Sequence, residues 1–339
     1  MNLVTGATGI LGSHILLKLL LEQKPVMALK QKNSDIQKVK RLFSYYTKDA
    51  DSLFEKIKWI EGNVCDIFSF EEALEEAAAV FHCAGFVSFD KRERKKLFTI
   101  NEQGTANVVN ACLRKNIPLC HVSSIATLHN LDYNSELTEE VFWKRSGRES
   151  DYAISKYNAE REVWRGIEEG LKAVIVNPGV ILSPGFWNQS SSKMFTTCHK
   201  GNLFYTDGNA GYVAAEDVAD AMIRLMEKRL YGNRYILVEG NYTFKNIFDQ
   251  IQSGFNKTKP FINASRFTLH LGRIADGIVS GITGRERVLT KALINSALNR
   301  QTLSNKKIKA TINMEFQPVN HVISRICGIY LEEVKAKRL

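Results

Sequence analysis

The chain has 339 residues, 44% hydrophobic and 24% charged, with 46 Lys and Arg against 36 Asp and Glu for a net charge of +10. That length allows one large domain or two fused ones around an ordinary core, without a disulfide or metal staple. Little glycine and proline and no apolar run near roughly 18 residues exclude collagen-like, disordered and membrane-spanning classes. The basic excess keeps an acidic ligand, nucleic acid or an anionic membrane surface open as partners.

In chain order, strands are predicted at Asn2–Thr5, Val26–Lys30, Lys58–Glu61, Ala79–Cys83, Leu119–Ser123, Ala173–Asn177 and Tyr235–Val238. Helical patterns lie between them at Leu11–Gln23, Ser34–Lys48, Ser69–Ala78, Arg94–Lys115, Tyr152–Glu169 and Ala215–Lys228. This alternation predicts βαβ units and a doubly wound α/β fold with a parallel sheet covered on both faces. From about Ser183 strand signals thin out. Beyond Thr243 the pattern is mainly helical, with a short strand predicted at Lys309–Asn313. The six cysteines are dispersed, with no metal-ligand spacing, as expected of buried apolar residues in a reducing compartment. A glycine-rich turn at Gly6, ahead of any apolar stretch, argues against a signal peptide; the expectation is a soluble cytoplasmic protein.

Thr5-Gly6-Ala7-Thr8-Gly9-Ile10-Leu11-Gly12 joins an apolar strand to an apolar-periodic helix, the context in which a glycine pattern carries meaning. Gly6 permits a sharp turn, Gly9 lets backbone approach a pyrophosphate, and Gly12 allows close helix–sheet packing. The phosphates would lie on free N–H groups at the helix start, making Gly6, Thr8, Gly9, Ile10, Leu11 and Gly12 candidate cofactor contacts. The fold expected is therefore of Rossmann type. Residues 1–178 form its dinucleotide-binding domain, with a strand and helix returning near 213–239. Residues 179–339 form a smaller, mainly helical substrate cap.

No acid stands at the end of the second strand before Asp35, whereas Lys30 and Lys32 suit a 2′-phosphate, which favours NADP over NAD. Both lysines would equally serve a solvated loop. Asp66, just past the third strand, could accept an adenine amino group. Tyr152 and Lys156 lie one helical turn apart, where a cation lowers the tyrosine pKa toward acid/base use. Ser124 stands upstream at a strand end, with Ser123 one register away, placed to hydrogen-bond a substrate carbonyl.

Strand, glycine turn, strand-end serine and Tyr152/Lys156 come in the order of the short-chain dehydrogenases/reductases, which the chain resembles in their extended, epimerase/dehydratase-like branch. His82-Cys83-Ala84-Gly85, Asn101-Glu102-Gln103-Gly104-Thr105, Asn177-Pro178-Gly179-Val180 and Tyr212 through Ala219 extend the resemblance over most of the sequence. It implies Tyr152 as acid/base, Lys156 on the nicotinamide ribose, Ser124 polarising the carbonyl and Asn101 in a proton relay to the lysine. It also implies cofactor contacts at Ala84, Gly85, Pro178 and Val180, and a homodimer through helices 94–115 and 152–169. Two departures are Gly62-Asn63 for the family's Gly-Asp and His82-Cys83 before Ala84; His82 reads as a structural strand-end residue.

Dehydratases of this pattern carry Asp-Glu after the strand-end hydroxyl, where this chain has Ile125-Ala126. The segment from Asn177 to Pro184 looks more like dihydroflavonol reductases and 3β-hydroxysteroid dehydrogenases. The reading is an NADP-dependent oxidoreductase acting on a small apolar or aromatic ketone or aldehyde. A nucleotide-sugar epimerase and a non-catalytic dinucleotide-binding regulator are the alternatives. Phe186, Trp187, Met194, Phe195, Phe204 and Tyr205 would either line the substrate pocket or form the cap's own core. Lys91 through Lys96 reads as a solvated charged face; no nucleic acid, membrane or metal partner is expected.

Overall fold

The computed structural model describes residues 1–128, 136–141, 143, 144, 147, 149–283 and 290–336. Strands β1 (Asn2–Thr5), β2 (Val26–Lys30), β3 (Lys58–Glu61), β4 (Ala79–His82), β5 (Leu119–Val122), β6 (Ala173–Pro178) and β7 (Asn233–Leu237) run parallel in the order β3-β2-β1-β4-β5-β6-β7. This is the doubly wound Rossmann order, with its switch point between β1 and β4. The central strands are buried and mainly apolar because helices cover both faces, with polar residues gathered toward their carboxyl ends.

The helices that bear on the site are α1 (Ile10–Leu21), α2 (Gly104–Lys115), α3 (Asp151–Glu168), α4 (Ala215–Glu227), α5 (Arg266–Thr283), α6 (Lys306–Ile312) and α7 (Val319–Lys335). Alternation along each strand divides its residues between two cores. Val4, Phe81, Cys120 and Val174 pack with Ile15 and Leu16 of α1, Met222 of α4 and Ile308 of α6. Leu3, Val80, Leu119 and Ile175 pack with Val108 and Cys112 of α2 and Val163 of α3. A third core joins Leu182, Trp187, Phe195, Tyr212 and Ile251 to Ile326 and Tyr330 of α7. A small sheet of Val180–Leu182, Asn209–Ala214 and Gly240–Thr243 lies beside it, and its middle strand runs directly into α4.

Three predicted elements are redrawn. The strand expected at Lys309–Asn313 is the helix α6: Ile308 and Ile312, four residues apart, are both buried, and Asn313 ends the helix in a left-handed conformation. Arg94–Lys115 is not one regular helix. A π-turn at Thr99–Gln103 separates the short helix Arg94–Phe98 from α2. The helix over Ser34–Lys48 contracts to Gln37–Ser44, with a second short helix at Ala50–Glu55.

The first turn depends on two glycines. Gly6 has a φ of +63°, and a Cβ there would lie 2.6 Å from the Ala84 nitrogen; at Gly12 it would lie 2.3 Å from the Gly6 carbonyl oxygen. Gly12→Ala is expected to destabilise the chain by about 3 kcal/mol, since backbone must move to admit the methyl group. Gly9→Ala meets only that carbonyl, at 3.2 Å, and costs much less. Urea unfolding of the two variants checks the contrast.

Candidate active site

At the carboxyl ends of β1, β4 and β5 the register aligns Thr5 with His82 and His82 with His121. All three residues are fully buried. Thr105 Oγ1 gives its hydrogen to the Asn101 carbonyl at 2.6 Å, so at 3.1 Å it accepts from His82 Nε2. His82 Nδ1 therefore accepts from the Thr5 hydroxyl at 2.7 Å, while Thr5 Oγ1 accepts from the Ala84 N–H at 3.2 Å. The imidazole is neutral: burial, then the Lys156 charge, pushes its pKa down to about 3. His121 lies 5.3 Å from it ring to ring, has no hydrogen-bond partner on either nitrogen among the described residues, and is held neutral mainly by burial.

Helix α3 starts where the Ser150 hydroxyl accepts from the Ala153 N–H at 3.0 Å. Its first turns aim Tyr152 and Lys156 at the end of β5. The Lys156 ammonium donates to the Val122 carbonyl at 2.7 Å. Burial lowers its pKa to about 8, against the opposing pull of the Glu160 carboxylate. Burial raises the Tyr152 pKa, and a hydrogen bond with Ser124 partly offsets this. The Phe89 ring flanks Tyr152 edge-on at 6.0 Å. The two serines divide: Ser123 Oγ donates to Glu160 at 2.6 Å, whereas Ser124 faces Tyr152.

Glu160 carried no signal of its importance in the sequence, where it reads as the exposed partner of Lys156 four residues earlier. It is 2% exposed. Oε2 accepts from Ser123 at 2.6 Å and from Thr127 and Asn177 at 2.9 Å each; Oε1 accepts from Arg234 at 3.0 Å and Trp164 at 3.3 Å. Arg234 extends the network to the Glu139 and Val141 carbonyls at 2.7 and 2.6 Å. Arg234 precedes the strand predicted at Tyr235–Val238 and falls inside β7, so it carried no signal either.

Asn101 lies in the π-turn, buried. Its Oδ1 accepts from the Phe86 N–H at 2.7 Å, and its Nδ2 donates to the Phe86 carbonyl and Ser155 Oγ, both at 2.9 Å. It thus ties the segment after β4, with Ala84 and Gly85, to α3 next to Lys156. It makes no hydrogen bond to the lysine itself. No side chain caps the start of α1 and no acid occupies its first turn, so N–H groups at the helix start are left for an anion, while that of Gly9 is given to the Gly6 carbonyl at 2.9 Å. Lys32 is exposed, but Lys30 is paired with Glu61 at 3.5 Å. Asp66 is exposed and accepts from the Phe68 N–H at 3.2 Å. Pro178 ends β6, and Val180 begins the small sheet. Trp187 and Phe195 belong to the third core, whereas Phe204 is exposed. The described residues contain no cluster able to hold a metal ion.

Both histidines have a lower pKa folded than the 6.5 of a free side chain. As pH falls below 6.5 the unfolded chain takes up protons first, so stability is full above that pH and declines toward pH 3. His121→Leu should remove its share of that decline, about 1.4 kcal/mol per pH unit, in urea melts between about pH 6 and 4. Glu160→Ala leaves Arg234 without its carboxylate and should cost about 3–5 kcal/mol in the same measurement at neutral pH, with Glu160→Gln milder.

The model of the NAD dependent epimerase/dehydratase family matches residues 2–237. Sterol demethylase protein B of Methylococcus capsulatus is 26% identical over 266 residues, spanning 76% of each chain. Tetraketide alpha-pyrone reductase 2 of Arabidopsis thaliana is 29% identical, over 69% of this chain and 76% of its own. The crystal structure of gox2253 overlays with a TM-score of 0.82 at 22% identity, covering 98% of both chains. Yeast methylglyoxal/isovaleraldehyde reductase complexed with NADPH overlays at 0.74 and 18% identity, covering 99% of both. The chain belongs to the NAD-dependent epimerase/dehydratase family, in its extended short-chain dehydrogenase/reductase branch, and is an NAD(P)-dependent enzyme of oxidoreductase type.

Proposed function

We propose that the chain reduces a ketone or aldehyde on a small apolar or aromatic substrate, or oxidises the corresponding alcohol, with NADP as the preferred cofactor. The observation that carries this reading is the convergence of Ser124, Tyr152 and Lys156 at the end of β5. The relatives named as tetraketide alpha-pyrone reductase and cinnamoyl-CoA reductase support a reductase over an epimerase. Ile125 and Ala126 stand in the turn where a dehydratase needs its acids, which argues against elimination.

The glycine turn fits a dinucleotide: Gly6 and Gly12 have no room for a side chain, and Gly9 is exposed beside the uncapped start of α1. Thr8 through Gly12 would hold the pyrophosphate, Lys32 is the cation available to a 2′-phosphate, and Lys156 would meet the nicotinamide ribose. When bound, the nicotinamide supplies the hydride. Tyr152, kept protonated by its raised pKa, delivers the proton to the developing alkoxide. The Ser124 hydroxyl donates to the same oxygen, and the Lys156 charge lowers the cost of the phenolate left behind. Asn101 acts from behind, fixing the Phe86 segment and Ser155. The paired helices α2 and α3 are the surface we assign to a homodimer.

Purified protein is assayed for NADPH oxidation against a panel of apolar and aromatic ketones and aldehydes. Tyr152→Phe should lower kcat by about 10²–10⁴ while NADPH affinity changes little. Reduction should also slow as pH rises through about 8, where Lys156 loses its proton. Unchanged turnover in Tyr152→Phe sinks the acid/base assignment. Tightly retained NAD with nucleotide-sugar interconversion would replace the reductase by the epimerase.

A further inference from the structure

Among the described side chains of helix α5, the two that are buried are polar and large apolar ones face out. Asp276 and Ser280, one turn apart, are each 8% exposed, while Phe267, Leu271 and Ile274 are 72%, 52% and 56% exposed. Those three follow the i, i+4, i+7 spacing of a single stripe, the spacing that normally seats a helix on a core. Phe261, just before the helix, is exposed as well. An apolar stripe of this size in water marks a surface that something covers.

The charge around the helix identifies the cover. Residues 257–300 carry eight Lys and Arg against two acids, so this short stretch holds +6 of the chain's net +10. Lys257, Lys259, Arg266 and Lys291 are exposed. The one acid within α5, Asp276, points inward. A second copy of the chain would bring this cationic border against itself, whereas an anionic lipid surface is attracted by it and accepts the apolar stripe. No helix among the described residues is long and apolar enough to cross a membrane, so the helix would lie on the surface rather than span it.

We propose that α5 is an interfacial membrane anchor, laying its Phe267–Leu271–Ile274 stripe into the headgroup boundary of an anionic bilayer with the flanking lysines and Arg266 on the lipid phosphates. The inference does not depend on the reductase reading, because binding is measured without turnover.

The full chain is sedimented with phosphatidylcholine vesicles and with vesicles containing about one third phosphatidylserine. Anionic vesicles should bind at least tenfold more protein, and raising salt from about 0.1 to 1 M should release most of it. The double variant L271E/I274E, altered only on the outward face, should bind at least tenfold less while keeping the parent's thermal unfolding midpoint. In a second measurement, Leu271→Trp should gain fluorescence that brominated acyl chains quench in anionic vesicles alone. Equal binding by parent and double variant, or none by the parent, overturns the proposal. So does a parent that is larger than L271E/I274E in sedimentation velocity without lipid, which would assign the stripe to a second copy of the chain.

Discussion

A carboxylate withdrawn from water must be surrounded by donors, and Glu160 imposes that condition on the whole carboxyl edge of the sheet. It draws one donor from the end of β5, one from the end of β6 and one from β7, through Ser123, Asn177 and Arg234. Three neighbouring strands are thereby fixed in their relative advance. The consequence reaches Ser124 by chain geometry alone. Successive side chains in extended backbone point to opposite sides, so fixing Ser123 on Glu160 turns Ser124 toward Tyr152. The choice between two adjacent serines is made by a residue on a different element that neither serine's own sequence reveals.

The same carboxylate shapes the charge balance at Lys156. A buried ammonium is costly, and here it has a carbonyl at 2.7 Å and an acid one turn away to offset that cost. Further positive charge nearby would release its proton. Burial first, and then the Lys156 charge, keeps the two imidazoles on the neighbouring strands neutral. The Thr5–His82–Thr105 chain fixes the His82 tautomer: Thr105 gives its one hydrogen to the Asn101 carbonyl and so accepts from Nε2, while Thr5 receives the Ala84 N–H and gives its own hydrogen to Nδ1. Thr105 follows the π-turn that carries Asn101. The glycine turn, the end of β4 and the segment beside Tyr152 therefore form one hydrogen-bonded unit.

How much of this was legible follows from how local each signal is. Short apolar runs between amphipathic stretches point to the seven strands and to a doubly wound parallel sheet, and a glycine turn between strand and helix marks the cofactor end. Tyr152, Lys156 and Ser124 stood out because family spacing joins them. Glu160 and Arg234 did not: a glutamate four residues after a lysine looks like an exposed helix pair, and its burial arises only when β5, β6 and β7 converge. Lys30 suits a phosphate in the sequence, which does not show that Glu61 on the neighbouring strand lies 3.5 Å from its ammonium. The short helix α6 reads as a strand in the sequence because its seven residues hold only one apolar i, i+4 pair, too few to show a period.

Charge shows the same limit at the scale of the chain. A net +10 says nothing about where the excess lies, and the glycine turn invited its assignment to a phosphate-bearing cofactor. With Lys30 engaged by Glu61, that site holds less free charge than the sequence suggested, while Lys257, Lys259, Arg266 and Lys291 lie exposed around α5. Hydropathy along α5 reads as an ordinary amphipathic helix, and no sequence pattern tells which of its two faces meets the protein. Only the inward placement of Asp276 and Ser280 resolves it. The basic excess and the outward apolar stripe then act on the same partner, because cations draw an anionic surface close enough for the apolar side chains to enter it.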